Sequence, residues 1–192
     1  MTDPNDPSQY RQMSALRDGR TVLIRAARAD DRERLVTAFQ GLDRQTIYTR
    51  YFSFRKNISE TEFQRLEEAD FSRYILLVAT LGSGNEETII AGASCVVTDA
   101  TGPVPTAELA FMVEEDYQRQ GLAGQLLAAI CGLARRRGIA RLEADVLAEN
   151  PAMLAVFRRS GLPTTTSRSA GVVHLVMDLS APTPATATEL EP

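Results

Sequence analysis

The segment Tyr117-Gln118-Arg119-Gln120-Gly121-Leu122-Ala123-Gly124-Gln125-Leu126-Leu127 sets two glycines and an alanine between a polar turn and a run of leucines. Leucine or isoleucine then recurs at 122, 126, 130 and 133, the spacing of one helix face. A glycine-rich helix start leaves several backbone N–H groups without intrahelical partners, with the positive end of the helix dipole behind them. Such a start attracts phosphate. Gly121, Ala123 and Gly124 are small enough for a diphosphate to approach the backbone, and Arg119 adds a cation. The competing reading is a helix whose small residues pack closely against a sheet. Neither common nucleotide loop is present: G-x-G-x-x-G is missing, and no Gly-Lys-Ser/Thr follows the glycines. The pattern asks for a phosphate-bearing ligand of another kind.

Periodicity and turn residues predict the elements that must position this loop. Strands are expected at Val22–Ala26, Tyr74–Thr80, Thr88–Thr98, Ala107–Val113, Arg141–Leu147 and Val172–Leu179. A helix opens at Asp30-Asp31-Arg32-Glu33 and ends near Gly41, and a second runs from Asp43 to about Phe52. A third starts at the capping box Ser59-Glu60-Thr61-Glu62. The leucine-rich helix after Gly121 should stop at Gly138, with Arg135, Arg136 and Arg137 at its negative end. Asn150-Pro151 opens the last helix, which ends near Gly161. The expected fold class is α/β, a central, mostly antiparallel mixed sheet of about six to seven strands flanked by helices.

Length and composition bound the rest. The chain has 192 residues, 44% of them hydrophobic and 24% charged, which suits one buried core. One domain is expected over 21–180, with a flexible tail over 1–20 and a disordered one over 181–192, where APTPATATELEP alternates proline with small and acidic residues. A formal net charge of −4 gives no cationic field for nucleic acid. No apolar run approaches membrane-spanning length, so no membrane partner is expected. Cys95 and Cys131 sit in apolar segments rather than at metal-ligand or disulfide spacing, which points to a reducing, cytoplasmic setting. With one histidine and two scattered cysteines, no metal site is expected.

Gln118 to Ala123, Q-R-Q-G-L-A, resembles the Q/R-x-x-G-x-G/A signature of the GNAT superfamily of N-acetyltransferases. The resemblance runs from about Val22 to Leu179 and includes Glu149-Asn150-Pro151-Ala152-Met153, similar to the family's E-N-x-x-A/M segment. RYFSFRKNISETEF, AELAFMVEEDYQRQGLAGQLL and GIARLEADVLAENPAML look particularly like the bacterial protein lysine acetyltransferases of the Pat type, which act on acyl-CoA synthetases. The resemblance implies the GNAT fold and acetyl-CoA as cosubstrate, its diphosphate held by Gln118 to Gly124. It also implies pantetheine along Phe111, Met112 and Val113, where the free backbone groups of Met112 and Val113 would pair with its amides if the strand splays from Arg141–Leu147. Asn150 is read both as a coenzyme or substrate contact and as the cap of the helix that Pro151 begins.

An acceptor amine must lose a proton before it attacks: at a reference pKa of about 10.4, roughly one lysine in a few thousand is neutral at pH 7. Glu108 is the expected general base, since it lies in an otherwise apolar strand where burial should raise its proton affinity. A surface pair at a frayed strand end is the competing role. Many relatives place a tyrosine seven positions after the asparagine to protonate the leaving thiolate, but here that position is Phe157. A thiolate with a pKa of about 8.5 leaves without one. The aromatic patch Tyr48, Tyr51, Phe52 and Phe54, flanked by Arg50, Arg55 and Lys56, is expected mostly in the core, with a border of the acceptor entrance as its alternative, and His174 in a packed or edge role. The resulting expectation is an N-acetyltransferase that transfers directly to an amine, on a protein lysine such as one of an acyl-CoA synthetase. A small-molecule amine, and a non-catalytic acyl-CoA sensor, are the alternatives. A monomer or homodimer is expected.

Overall fold

Val22, Ile24 and Ala26 alternate along a strand and lose nearly all their exposure, as apolar residues on one face of a covered sheet must. The structure, a computed structural model, describes residues 6–67, 71 and 73–180. Its sheet has eight strands: β1 Arg11–Ala15, β2 Thr21–Ala26, β3 Tyr74–Leu81, β4 Thr88–Asp99, β5 Thr106–Val113, β6 Arg141–Leu147, β7 Thr164–Ser169 and β8 Val172–Asp178. They lie in the order β1-β2-β3-β4-β5-β6-β8-β7. Every neighbouring pair is antiparallel except β5 with β6, which run parallel.

Helices cover both faces. α4 (Leu122–Arg136) and α5 (Pro151–Arg159) bury Leu122, Leu126, Ile130, Leu133 and Phe157 against Leu142, Ala144, Leu175 and Met177 of the sheet. Each leucine so buried contributes about 1.5–3 kcal/mol. α4 ends as expected, with Gly138 at φ +73° and Ile139 N–H donating to Ala134 O at 3.0 Å. On the other face α1 (Arg32–Gly41) and α3 (Glu60–Glu67) bring Leu35, Val36, Phe63 and Leu66 onto Val78 and Ile89. The capping box at α3 closes reciprocally: Ser59 N–H donates to Glu62 Oε2 at 3.0 Å, and Glu62 N–H to Ser59 Oγ at 3.3 Å. α2 (Arg44–Tyr51) lies against β5.

Two strands exceed the sequence expectation. β1 falls inside the presumed tail of residues 1–20, and its exposed edge residues carry no alternation that would reveal it. Only residues 1–5 of that tail, and the whole of 181–192, lie outside the described residues. β7, Thr-Thr-Thr-Ser-Arg-Ser, is exposed at every position and has no apolar residue to mark it.

A buried ion cluster fixes the start of α1. Arg25, 3% exposed, grips fully buried Asp31 in a fork of 2.6 and 2.7 Å and reaches Glu87 at 2.9 Å. Burial alone would raise the Asp31 carboxyl, but hydrogen bonds from Arg25 and the Arg28 N–H outweigh it and hold the group below the usual carboxylate range.

Candidate active site

Antiparallel pairs alternate between positions that exchange hydrogen bonds and positions that do not. Glu114 N–H donates to Ile90 O of β4 at 3.0 Å, and Val97 N–H of β4 turns the other way, to Arg73 O at 2.8 Å. With Val113 opposite Ala91 and Ala107 opposite Val97, this phase turns the N–H and C=O of Met112 toward Gly92. The same groups of Leu109, Phe111 and Val113 point toward β6. The parallel register between β5 and β6 covers only Thr106, Ala107 and Glu108, opposite Arg141, Leu142 and Glu143. Beyond Glu108 the strands separate, and the β6-facing edge of β5 has no strand partner among the described residues. The splay matches expectation, with one correction: the backbone groups that face the gap belong to Phe111 and Val113, not to Met112. The Val113 carbonyl accepts from Gln118 Nε2 at 3.1 Å, and the same amide nitrogen reaches Thr46 Oγ1 at 3.3 Å.

α4 begins at the end of this gap. Gly121, its N-cap, has φ +88°, and Arg119 two residues earlier has φ +60°. A glycine is favoured at Gly121 by that dihedral. Gln125 N–H donates to Gly121 O at 3.2 Å, so the N–H groups of Leu122, Ala123 and Gly124 precede the first intrahelical bond, and no acceptor among the described residues takes them. A β-carbon added at Gly124 would meet nothing within 4 Å. Close packing against the sheet therefore does not explain this glycine, and the space beside it is open.

Gap and helix start share a cavity of about 680 Å³. Phe111, Met112 and Val113 of β5 line it, as do Gln118, Arg119, Gly121, Leu122, Ala123 and Gly124 of the loop; Gln120 does not. Asn150 also lines it while its Oδ1 accepts from Met153 N–H at 3.1 Å, so the capping role is real and does not remove the residue from the site. Phe157, 1% exposed, meets Phe111 edge to face at 5.8 Å and brings no hydroxyl.

Glu108 lies at the cavity wall beside Glu143, its register partner. It is exposed, contrary to the burial expected from its apolar neighbours: Ala107 and Leu109 are buried because successive strand residues face opposite sides. The frayed-end alternative also fails, since Glu108 sits in register with Val96 on one side and Glu143 on the other, and among the described residues it makes no ion pair. His174, half-exposed, sets Nδ1 2.8 Å from Asp145 Oδ1. No group of three or more His, Cys, Asp or Glu among the described residues forms a metal-binding cluster. No helix among them is long and apolar enough to cross a membrane.

Several residues at the cavity had no sequence signal. Thr46 and Thr49 of α2 line it, as does Arg17 from the turn between β1 and β2. Arg50 and Phe52, by contrast, belong to the patch with an alternative reading at the acceptor entrance, and both line the cavity; Phe52 lies in the left-handed region at φ +52° and Phe54 is 60% exposed, so the patch is not mostly core.

A family model described as the acetyltransferase (GNAT) family matches residues 43–162. Acetyltransferase Pat of Mycolicibacterium smegmatis is 30% identical over 146 residues, 76% of this chain and 42% of that protein, so the chain spans less than half of that relative. The crystal structure of the GNAT domain of S. lividans PAT superposes with a TM-score of 0.78 at 35% identity, covering 88% of this chain and 96% of that one. The fold is also that of yncA from Salmonella typhimurium, solved with acetyl-CoA, at a TM-score of 0.66 and 18% identity over 85% of this chain and 98% of that one.

Proposed function

The chain belongs to the acetyltransferase (GNAT) family, and from that premise we propose that it is an acetyl-CoA-dependent N-acetyltransferase acting on a protein lysine. The observation that carries this reading is one cavity that joins the open amide groups of α4 to the unpaired edge of β5 and to Glu108. Acetyl-CoA, when bound, supplies an activated acetyl group as a thioester. The N–H groups of Leu122, Ala123 and Gly124 and the side chain of Arg119 meet its phosphates. Phe111 and Val113 offer pantetheine the donors and acceptors of an added strand, with Met112 contributing its side chain and Asn150 flanking the channel. Gln118 orders the loop from beneath through Val113 and Thr46, and Gln120 holds it from outside by accepting from the neighbouring turn.

Glu108 takes the proton from the acceptor ammonium, directly or through one water, so that neutral nitrogen reaches the carbonyl carbon. As the new C–N bond forms, the C–S bond breaks and the sulfur leaves as a thiolate with no acid at Phe157 to protonate it, while the second proton shed by the nitrogen passes to water or to that thiolate. The acetyl group passes straight to the amine. An exposed Glu108 suits a large acceptor, because a lysine on a folded surface reaches it without entering a closed chamber. The resemblance to Pat-type enzymes makes acyl-CoA synthetases the first proteins to try, and the free, buried Cys95 and Cys131 suit a reducing, cytoplasmic setting. Thiol release from acetyl-CoA, measured with an acyl-CoA synthetase and with free amines in parallel, tests the proposal. Turnover on the protein is expected. Turnover confined to free amines would overturn the lysine acceptor, and tight coenzyme binding without thiol release would mark a sensor.

A further inference from the structure

The turn between β1 and β2 is pinned to the loop before α4. Arg17 N–H donates to Gln120 O at 3.3 Å, and Asp18 N–H to Gln120 Oε1 at 3.2 Å. Gln125 of α4 reaches back, its Nε2 donating to Ala15 O at 2.9 Å and its Oε1 accepting from Ser14 Oγ at 2.8 Å. The hairpin thus forms an outer wall of the cavity, and Arg17 is part of the lining.

The two arginines of this turn are used differently. Arg20 is held by Asp18 at 2.6 Å and lies 4.7 Å over the Tyr117 ring. Arg17 has no carboxylate within 4.0 Å among the described residues. One of its nitrogens, Nη1, donates to Arg119 O at 3.1 Å, which orients the guanidinium, and no other acceptor among the described residues takes the remaining N–H groups. A β-carbon added at Gly121 would lie 3.9 Å from Arg17 Nε. An uncompensated, oriented guanidinium therefore stands beside the N-terminus of α4, and its planar fork of donors matches a phosphate.

We infer that Arg17 is a phosphate-binding residue of the coenzyme site, supplied by the β1–β2 hairpin rather than by the glycine loop. This inference rests on the coenzyme reading of the cavity. Coenzyme A carries a diphosphate and a ribose 3′-phosphate, and the guanidinium has the same chemistry toward either.

Calorimetry separates the sources. Wild type, Arg17→Gln and Arg17→Lys are titrated with acetyl-CoA and with 3′-dephospho-acetyl-CoA, at low and high salt. Arg17→Gln is expected to weaken acetyl-CoA by about tenfold, the effect shrinking in salt, with partial recovery in Arg17→Lys. An equal loss on both ligands assigns Arg17 to the diphosphate, and a loss on acetyl-CoA alone assigns it to the 3′-phosphate. Unchanged affinity for both overturns the inference, as does a loss that ignores salt and that lysine does not restore, since that would reflect only its hydrogen bond to the loop. Wild type that binds neither ligand would instead defeat the coenzyme reading itself.

Discussion

Arg17 and Arg25 bracket the same hairpin and do opposite work. Arg25 is buried with two carboxylates, and its fork is spent on Asp31 and Glu87. Arg17 is exposed, and among the described residues its side chain is tied only to a carbonyl. The surroundings differ in the same way. Around Arg25 the antiparallel ladder is continuous from β1 through β5, and α1 and α3 seal the face. Around Arg17 the chain leaves groups open: three amides at α4, the β5 edge beyond Glu108, and the space at Gly124. One region satisfies its polar groups internally and holds the fold together. The other leaves its donors for something brought from outside, and a substitution should show which region it touches by whether melting or binding responds.

Asp31→Ala gives the largest expected effect. It strands most of the charge on buried Arg25, and unfolding free energy should drop by about 3–5 kcal/mol, read by urea titration. Coenzyme affinity should hold wherever the variant is folded, and a parallel loss of affinity would break the contrast between the regions. The same carboxyl sets an acid limit. Held below its ordinary value of 3.8, it contributes stability that is present above that pH and lost as the pH falls through its folded value. Melting temperature should fall below about pH 4 in wild type, and that step should flatten in Asp31→Asn.

Glu108→Gln is next. It should lower kcat/KM by about a hundredfold, equivalent to about 2.7 kcal/mol, with no change in melting. Retained turnover would remove the proposed base. The smallest effect has two signs. Gly124→Ala meets no atom of the protein and should raise stability by about 0.5–1 kcal/mol while weakening acetyl-CoA binding severalfold. A variant that gained stability and kept full affinity would show that the open space beside Gly124 does not serve the ligand.

The sequence disclosed what periodicity can disclose. The apolar stripe of α4, its stop at Gly138 and the box at Ser59–Glu62 were legible because each is a local rule written in neighbouring residues. β1 and β7 were not, because edge strands with both faces wet carry no alternation. Arg17 was hidden with β1, since nothing in a polar turn says which loop it will meet. Glu108 was misread as buried because its apolar neighbours in sequence face the opposite side of the sheet. The rings of Phe52 and Phe54 suggested a core, yet Arg44 lies 4.8 Å over Phe54, and Tyr48 stacks on it at 5.0 Å, which lets an aromatic cluster stand at the surface. The phase of β5, and so which carbonyls face the gap, needed its pairing with β4, which no residue type along either strand reports.

The short parallel join of β5 to β6 has a mechanical consequence. Since the ladder there ends at Glu108 and Glu143, the halves of the sheet meet like the covers of a book along a brief spine. Widening the gap past Glu108 breaks no further strand pairing, so what resists it is side-chain packing across the split, where Phe157 of α5 meets Phe111 of β5 edge to face at 5.8 Å.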